Sequence, residues 1–251
     1  MALKKSAILA LVAEYATDER VLAERSISSF TAHARFREIF HTALSFEAVT
    51  SYISSATFRP SLSAPRALVL RIPVLVSLGQ ISAAQAELRR LLELVAWSVY
   101  FTDHRREWDE FTSVASKGFT QNQRTPIAYA AHREASFYLE YMDELMLLDD
   151  SGAAKQAVET LKQVHYQLNS VIHPGGLARG APAPPFDNVD DGILDRFSRL
   201  LREALSNSAL ILCAFRRERF SRMPAGPRDH LSHLLSTQKR KAISKGNFGL
   251  P

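Results

Sequence analysis

The fold is decided by the stretch from Ala83 to Phe101, which reads AAQAELRRLLELVAWSVYF. In a helix, the apolar side chains of this stretch cover almost the full circumference, and they are Leu88, Leu91, Leu92, Leu94, Val95, Trp97, Val99, Tyr100 and Phe101. A helix that is apolar on nearly all sides is buried among other elements. The pattern therefore predicts a central helix around which the rest of the chain packs.

Amphipathic patterns with three- and four-residue spacing lie on both sides of this stretch. They predict helices over residues 3–25, 29–54, 131–149, 152–173, 190–222 and 228–241. In residues 66–78 the β-branched residues favour a strand, whereas Pro73 argues against a central one. We interpret this segment as a helix that Pro73 kinks or starts. The sequence as a whole predicts an all-α, multi-helix bundle.

With 251 residues, 46% of them hydrophobic, the chain can bury one large core. We expect a single helical domain over residues 1–222, with N-terminal helices in 1–60 and the bundle core in 65–222. Residues 223–251 are expected to form a basic C-terminal helix and tail. Residues 216–251 hold nine basic and two acidic residues, a net charge of +7, whereas the whole chain carries +5. Such a segment meets phosphates, an acidic partner or only water.

The sequence favours a cytoplasmic protein without a membrane span. Residues 4–13 imitate the charged and apolar parts of a secretory signal, but the apolar part is short and Glu14 follows it at once. The two longest apolar runs are broken by Arg71 and Glu93, so neither reaches the roughly 20 residues of a transmembrane helix. The single cysteine, Cys213, lies in an apolar run, where we expect a buried, reduced thiol rather than a nucleophile.

Three polar side chains recur every four residues at the end of the predicted 152–173 helix: His165, Asn169 and His173. They lie along one helical edge beside the apolar stripe, where a cleft would lie but where structural polar residues are also commonplace. His165 and His173 are about 12 Å apart along a helix, too far to share one metal ion. The sequence also lacks a glycine-rich phosphate loop and a nucleophile elbow, so we expect neither a metal nor a cofactor.

A proline- and glycine-rich segment follows His173 directly, and residues 174–185 read PGGLARGAPAPP. A non-repetitive loop of this length inside a compact domain is uncommon and is either a functional lid or disordered. Its attachment to His173 favours a lid formed by residues 174–188.

Glu93 is a carboxylate inside the most apolar helix of the chain. Burying it without a partner costs several kcal/mol. Arg89 lies one turn earlier on the same face and can supply that partner, and Arg90 is three residues away. Two interpretations stay open: a structural ion pair within the helix, or a carboxylate that belongs to a functional site.

The buried helix LRRLLELVAW, from Leu88 to Trp97, and the later helix end LNSVIHP, from Leu168 to Pro174, resemble bacterial helical proteins of the HEPN superfamily. The resemblance spans residues 65–220. It implies a helical bundle, often dimeric, that acts in toxin, phage-defence or RNA-processing systems. Active members cleave RNA without a metal, using an Arg and a His separated by four to six residues. Two literal matches to that spacing, Arg35 to His41 and Arg228 to His233, agree in number with chance.

The resemblance implies that His173 is the catalytic histidine, which moves protons to and from the RNA. The arginine of the motif is missing, because residues 166–168 are Tyr, Gln and Leu. Arg89, beside Glu93, would then reach in from the neighbouring helix, with Asn169 one turn before His173. In the other interpretation the site is degenerate and does not cleave.

Two functions therefore follow from the sequence. In the first, a HEPN-like protein of a bacterial defence or toxin–antitoxin type system binds RNA, with or without cleaving it. Its phosphate contacts are expected from Arg216, Arg217, Arg219, Arg222, Lys239, Arg240 and Lys241. In the second, a non-enzymatic interaction, scaffold or regulatory protein self-associates as a homodimer through the 190–222 helix. That helix carries a heptad-like stripe, which suits either bundle packing within one chain or self-association, and it is formed by Leu194, Phe197, Leu201, Leu205, Ser208, Leu212 and Phe215.

Overall fold

The computed structural model describes residues 33–53, 59–104, 106–108, 135–145, 152–172 and 191–245, with isolated positions between 13 and 27. Within these residues the chain is all-α, which confirms the predicted multi-helix bundle. The helices are α1 (Ala34–Ile53), α2 (Arg59–Ser77), α3 (Ile81–Asp103), α4 (Ala135–Leu145), α5 (Ala153–Ile172), α6 (Asp191–Phe215), α7 (Arg217–Ser221), α8 (Ala225–Leu234) and α9 (Thr237–Lys245).

Helices α2 and α3 form an antiparallel hairpin closed by a Schellman turn. Gly79 has a φ of 72°, a left-handed conformation that favours glycine. Its N–H donates to the Val76 carbonyl at 2.9 Å, and the Gln80 N–H donates to the Leu75 carbonyl at 2.8 Å. Pro73 is buried inside α2, so the prediction that residues 66–78 are helical is confirmed, with the proline within the helix rather than at its start.

Two helices, α3 and α6, occupy the centre of the bundle. Helix α3 packs against α2, α4, α5 and α6, in agreement with the buried helix predicted from its apolar circumference. Helix α6 packs against α1, α3, α5 and α8, and every residue from Ala204 to Ala214 is buried. Cys213 is among them, and burial raises the pKa of its thiol well above the ordinary value. The expected buried thiol is confirmed, and its reactive thiolate form is disfavoured.

The single helix predicted for residues 190–222 is wrong, because the chain leaves the helical conformation at Arg216, where φ is −116° and ψ is 46°. The turn brings α7 against α1. There the Tyr52 hydroxyl donates to the Arg222 carbonyl at 2.8 Å. A continued α6 would carry these residues away from α1.

The single helix predicted for residues 228–241 is also wrong, since α8 ends at Leu234 and α9 begins at Thr237. Between them Leu235 is extended, with a ψ of 133°, and is buried. Ser236 then caps α9, because its hydroxyl accepts from the Lys239 N–H at 3.3 Å. Burial of a leucine at the break and a serine cap after it together account for the interruption.

The basic C-terminal residues pack as part of the bundle. Met223, Leu231, Leu234 and Leu235 belong to the same hydrophobic core as the helices before them. Helix α8 packs against α1, and α9 packs against α5 and α6. Residues 223–235 thus share the core of the preceding domain.

Of the two roles open to the heptad-like stripe, bundle packing and self-association, the structure shows the first. Leu194, Phe197, Leu201, Leu205, Ser208 and Leu212 are all buried. Packing of α6 against α1 and α5 accounts for this burial. The stripe is therefore a core surface of one protomer and not an exposed dimer face.

The N-terminal part of the chain is described only in part. The segment that imitates a signal sequence, residues 4–13, lies outside the described residues except for position 13. The described positions between 13 and 27 are helical. None of the helices in the described part of the chain has both the length and the apolar character needed to cross a membrane.

Candidate functional site

A polar pair interrupts the apolar surface of α3. Arg89 and Glu93 lie one turn apart, and the Arg89 Nε donates to the Glu93 Oε1 at 3.0 Å. This is the intrahelical pair that the four-residue spacing predicts. Both side chains are about one-quarter exposed, so the pair lies at the edge of the core.

Helix α5 brings a histidine and an amide to the same place. His165 Nε2 lies 3.3 Å from Glu93 Oε1, and in the tautomer that carries the proton on Nε2 it donates to that oxygen. Asn169 Nδ2 lies 3.4 Å from the other ring nitrogen, His165 Nδ1. Arg89, Glu93, His165 and Asn169 thus form one continuous set of contacts across α3 and α5, which we call the polar cluster.

Electrostatics keep the carboxylate of the polar cluster ionised. Burial by itself would raise the pKa of Glu93. The hydrogen bond from His165 and the positive charge of Arg89 outweigh burial, so the pKa of Glu93 lies below its ordinary value. The ionised carboxylate therefore contributes to the stability of the fold.

This contribution predicts a pH dependence of stability. Because the pKa of Glu93 is lower in the folded state, its stabilisation is fully present above the unfolded value of about 4.3 and is lost as the pH falls through the folded value. Between pH 7 and pH 3, the free energy of unfolding measured with urea should therefore fall further for the wild type than for Glu93→Gln. The control is Glu144→Gln, at an exposed position of α4. If the difference in unfolding free energy between wild type and Glu93→Gln stays constant over this pH range, the stabilising role of ionised Glu93 is contradicted.

The polar cluster contains three of the four predicted catalytic residues: Arg89, Glu93 and Asn169. The fourth, His173, lies outside the described residues, as does the predicted lid of residues 174–188. The sequence missed the role of His165 as the connection between the helices. Its four-residue spacing from Asn169 was visible, but its contact with Glu93, 72 residues away, was not.

The chemistry open to the polar cluster follows from its exposure and contacts. His165 is only 8% exposed, and its two ring nitrogens face Glu93 and Asn169. It therefore positions its neighbours rather than exchanging protons with a substrate. Arg89, about one-quarter exposed, is the cation of the set, and a guanidinium carries five N–H donors, of which Glu93 accepts from Nε. The polar cluster can thus present a fixed guanidinium to an anionic group.

The residues predicted to contact RNA fall into two different surroundings. Arg216 donates from Nη2 to the Thr102 hydroxyl at 3.2 Å, and Arg219 and Arg222 are exposed on or next to α7. Lys241 is exposed on α9, whereas Lys239 and Arg240 line a cleft together with residues of α5 and α6. The side chain of Arg217 lies outside the described residues. Asn207, beside the cleft, and Phe215, before α7, are eight positions apart on α6, about 12 Å along the helix, which separates the two groups of basic residues.

The two literal arginine–histidine spacings contain residues that contact neighbouring helices. Arg35 hydrogen-bonds Glu38 and Asp195, which ties α1 to α6. His41 is exposed on α1. His230, inside the second spacing, approaches the buried Ser45 hydroxyl at 3.2 Å between Nδ1 and Oγ. The contacts of Arg35 and His230 serve the packing of α1 against α6 and α8.

Among the residues that the structure describes, no three His, Cys, Asp or Glu side chains are grouped as metal ligands. In comparisons with known proteins, no family model matches the chain, and neither a curated protein nor a solved structure matches it.

Proposed function

We propose that this chain is a cytoplasmic, HEPN-like RNA-binding protein that cleaves RNA without a metal ion, in a bacterial defence or toxin–antitoxin type system. One observation carries the proposal. The polar cluster joins Arg89 of α3 to Asn169 in the last turn of α5, the helix that ends at Ile172, immediately before His173. This arrangement supports Arg89 on α3 as the source of the arginine that the motif lacks on α5.

The proposed reaction is an attack by the RNA on its own backbone. The ribose 2′-oxygen forms a bond to the adjacent phosphorus, and the bond from phosphorus to the 5′-oxygen breaks. His173 takes the proton from the 2′-hydroxyl and delivers a proton to the leaving 5′-oxygen. Arg89 stabilises the negative charge that develops on the phosphoryl oxygens. Glu93 and His165 hold the guanidinium in place.

RNA binding would rest on basic residues in and around α7 and α9. Arg219 and Arg222, exposed around α7, and Lys241 on α9 can approach phosphates from solvent. Each phosphate that they neutralise releases counterions, so the logarithm of the affinity for single-stranded RNA falls with the logarithm of salt concentration, by about 0.7 per contact. We expect a clear loss of RNA affinity with increasing salt.

The test uses labelled single-stranded RNA and purified protein in EDTA. Wild type should cleave it, and His173→Ala should reduce the rate by at least about 100-fold, in the range for loss of a general acid–base. The matched control is His41→Ala, which removes an exposed histidine of α1 and should cleave like wild type. No cleavage by wild type, or equal rates for wild type and His173→Ala, would contradict the proposed enzyme. RNA affinity that is absent or indifferent to salt would contradict the binding as well.

The alternative, a non-enzymatic scaffold that dimerises through residues 190–222, needs an exposed apolar stripe on that segment. The stripe residues from Leu194 to Leu212 are buried within the chain. For this reason we favour the RNA-directed function.

A further inference from the structure

A cleft separate from the polar cluster opens between the N-terminal turns of α5 and α9, the middle of α6 and the end of α8. Its volume is about 990 Å³, at the upper end of the range of about 300–1,000 Å³ for small-molecule sites. On α5 it is lined by Thr160, whereas His165 is five residues on and therefore turned by about 140° around the helix. The cleft and the polar cluster thus lie on different faces of α5.

The lining of the cleft carries more basic than acidic side chains. Among the described residues that line it, four are basic and one is acidic: Arg199, Arg202, Lys239, Arg240 and Glu203. Arg202 is paired with Glu38 at 3.1 Å, so the positive charge of the cleft rests mainly on the other three cations. Hydroxyl groups supply further hydrogen-bonding capacity, from Thr160, Ser206, Ser232, Ser236 and Thr237. Cations together with hydroxyl donors are the groups that recognise phosphate.

Lys239 is held in the cleft by a neutral group. Its half-buried ammonium donates from Nζ to Asn207 Oδ1 at 2.7 Å. Asn207 is only 2% exposed, and its Nδ2 donates to the Glu203 carbonyl at 2.8 Å, which fixes the amide. Burial lowers the pKa of Lys239, although the charge of Glu203 opposes this effect. The charge of Glu203 therefore offsets the desolvation of the Lys239 ammonium only in part.

Arg240 is held in the same way. Its Nη1 donates to the Ser232 hydroxyl at 3.0 Å, and its Nη2 donates to the Thr237 hydroxyl at 3.2 Å. Its Nε is buried and has no acceptor among the described residues. Desolvated cations are normally paired with acids, because desolvation of an unpaired charge is costly. Lys239 and Arg240 are partly buried and oriented by neutral partners, which leaves their charge available to an anion.

The helix termini add to the positive potential. Gly152 and Ala153 at the start of α5, and Ser236, Thr237 and Gln238 at the start of α9, line the cleft. A helix N-terminus carries about half a positive charge, and both termini lie at the same cleft as Lys239 and Arg240.

We propose that this cleft binds the phosphate groups of a small, nucleotide-sized ligand, with Lys239 and Arg240 as the anion-binding pair. Apolar surface from Ala157, Leu234 and Leu235 remains for the rest of the ligand. The proposal does not depend on RNA cleavage, since the cleft shares no residue with the polar cluster.

Calorimetric titration of the full chain at constant ionic strength tests this, with inorganic pyrophosphate and ADP as separate probes. Wild type should bind at least one probe with a dissociation constant below about 1 mM. Lys239→Met and Arg240→Gln should each weaken it about tenfold or more, as expected for loss of a hydrogen bond to a charged group. Arg199→Gln, at an exposed position that lines the cleft, is a second variant that leaves the core intact. The control, Arg196→Gln, is exposed on α6 outside the cleft and should bind like wild type.

A third arm uses single-stranded RNA with and without a 5′-phosphate, to separate a free ligand from an RNA end. Binding of pyrophosphate or ADP that is weakened in Lys239→Met, Arg240→Gln and Arg199→Gln supports the proposal. Absence of saturable binding of both probes overturns it, and so does equal binding by the cleft variants and Arg196→Gln. Binding of 5′-phosphorylated RNA alone would also overturn it, because the cleft would then hold an RNA end.

Discussion

Replacing Phe197 with alanine is expected to lower the free energy of unfolding by about 3–5 kcal/mol. Phe197 lies on α6, is 2% exposed and is one of the largest buried side chains of the core. Its removal forfeits the transfer free energy of the ring and leaves a cavity that the surrounding helices fill only in part. Urea denaturation followed by circular dichroism at neutral pH measures the change in unfolding free energy. The slope of that free energy against urea concentration should be the same in wild type and variant.

The matched control is Phe40→Ala on α1. Phe40 is 43% exposed, so the same truncation should cost less than about 1 kcal/mol, because solvent replaces most of its surroundings. Equal losses for Phe197→Ala and Phe40→Ala would contradict the central position of α6.

Replacing Arg89 with alanine is expected to reduce metal-independent RNA cleavage by about 100- to 1,000-fold, the range for removal of one preorganised group that stabilises transition-state charge. The variant removes the guanidinium that Glu93 orients. It also leaves Glu93 with His165 as its remaining partner in the polar cluster. Single-turnover cleavage rates in EDTA, at a temperature where circular dichroism shows the variant folded, separate lost chemistry from lost structure.

The next residue on α3 provides the control for this prediction. Arg90 is exposed, has the same charge and carries the same side chain. Arg90→Ala should therefore cleave RNA at close to the wild-type rate. Equal reductions in both variants would indicate a general effect of charge on RNA binding and would contradict a specific role of Arg89.

Helix types and the central core could be predicted because they depend on local periodicity. The apolar circumference of residues 83–101 identified α3 as a buried helix, and Pro73 sufficed to reject a central strand. The breaks at Arg216 and Leu235 could not be predicted. Both serve contacts with α1 and the core, and neither position carries the proline or glycine that would mark a break in the sequence.

The candidate site divides in the same way. The Arg89–Glu93 and His165–Asn169 contacts each lie within one helix at four-residue spacing, so the sequence displayed both. The contact that joins them requires α3 to pack on α5, which no local pattern encodes. The cleft could not be predicted for a related reason. From the sequence alone, Lys239 and Arg240 are expected to be exposed cations of a basic segment, because Asn207, which orients Lys239, lies 32 residues away.

The end groups of RNA cleaved in EDTA provide the most direct test of the proposed function. Wild-type protein is incubated with a defined single-stranded RNA, and the fragments are identified by mass spectrometry. Attack by the 2′-oxygen leaves a 2′,3′-cyclic phosphate on one fragment and a 5′-hydroxyl on the other, and we predict these two ends. An RNA with 2′-deoxyribose at the cleaved position lacks the attacking oxygen, so it should give no fragments. Intact RNA, or fragments that carry a 5′-phosphate and a 3′-hydroxyl, would contradict cleavage by this site.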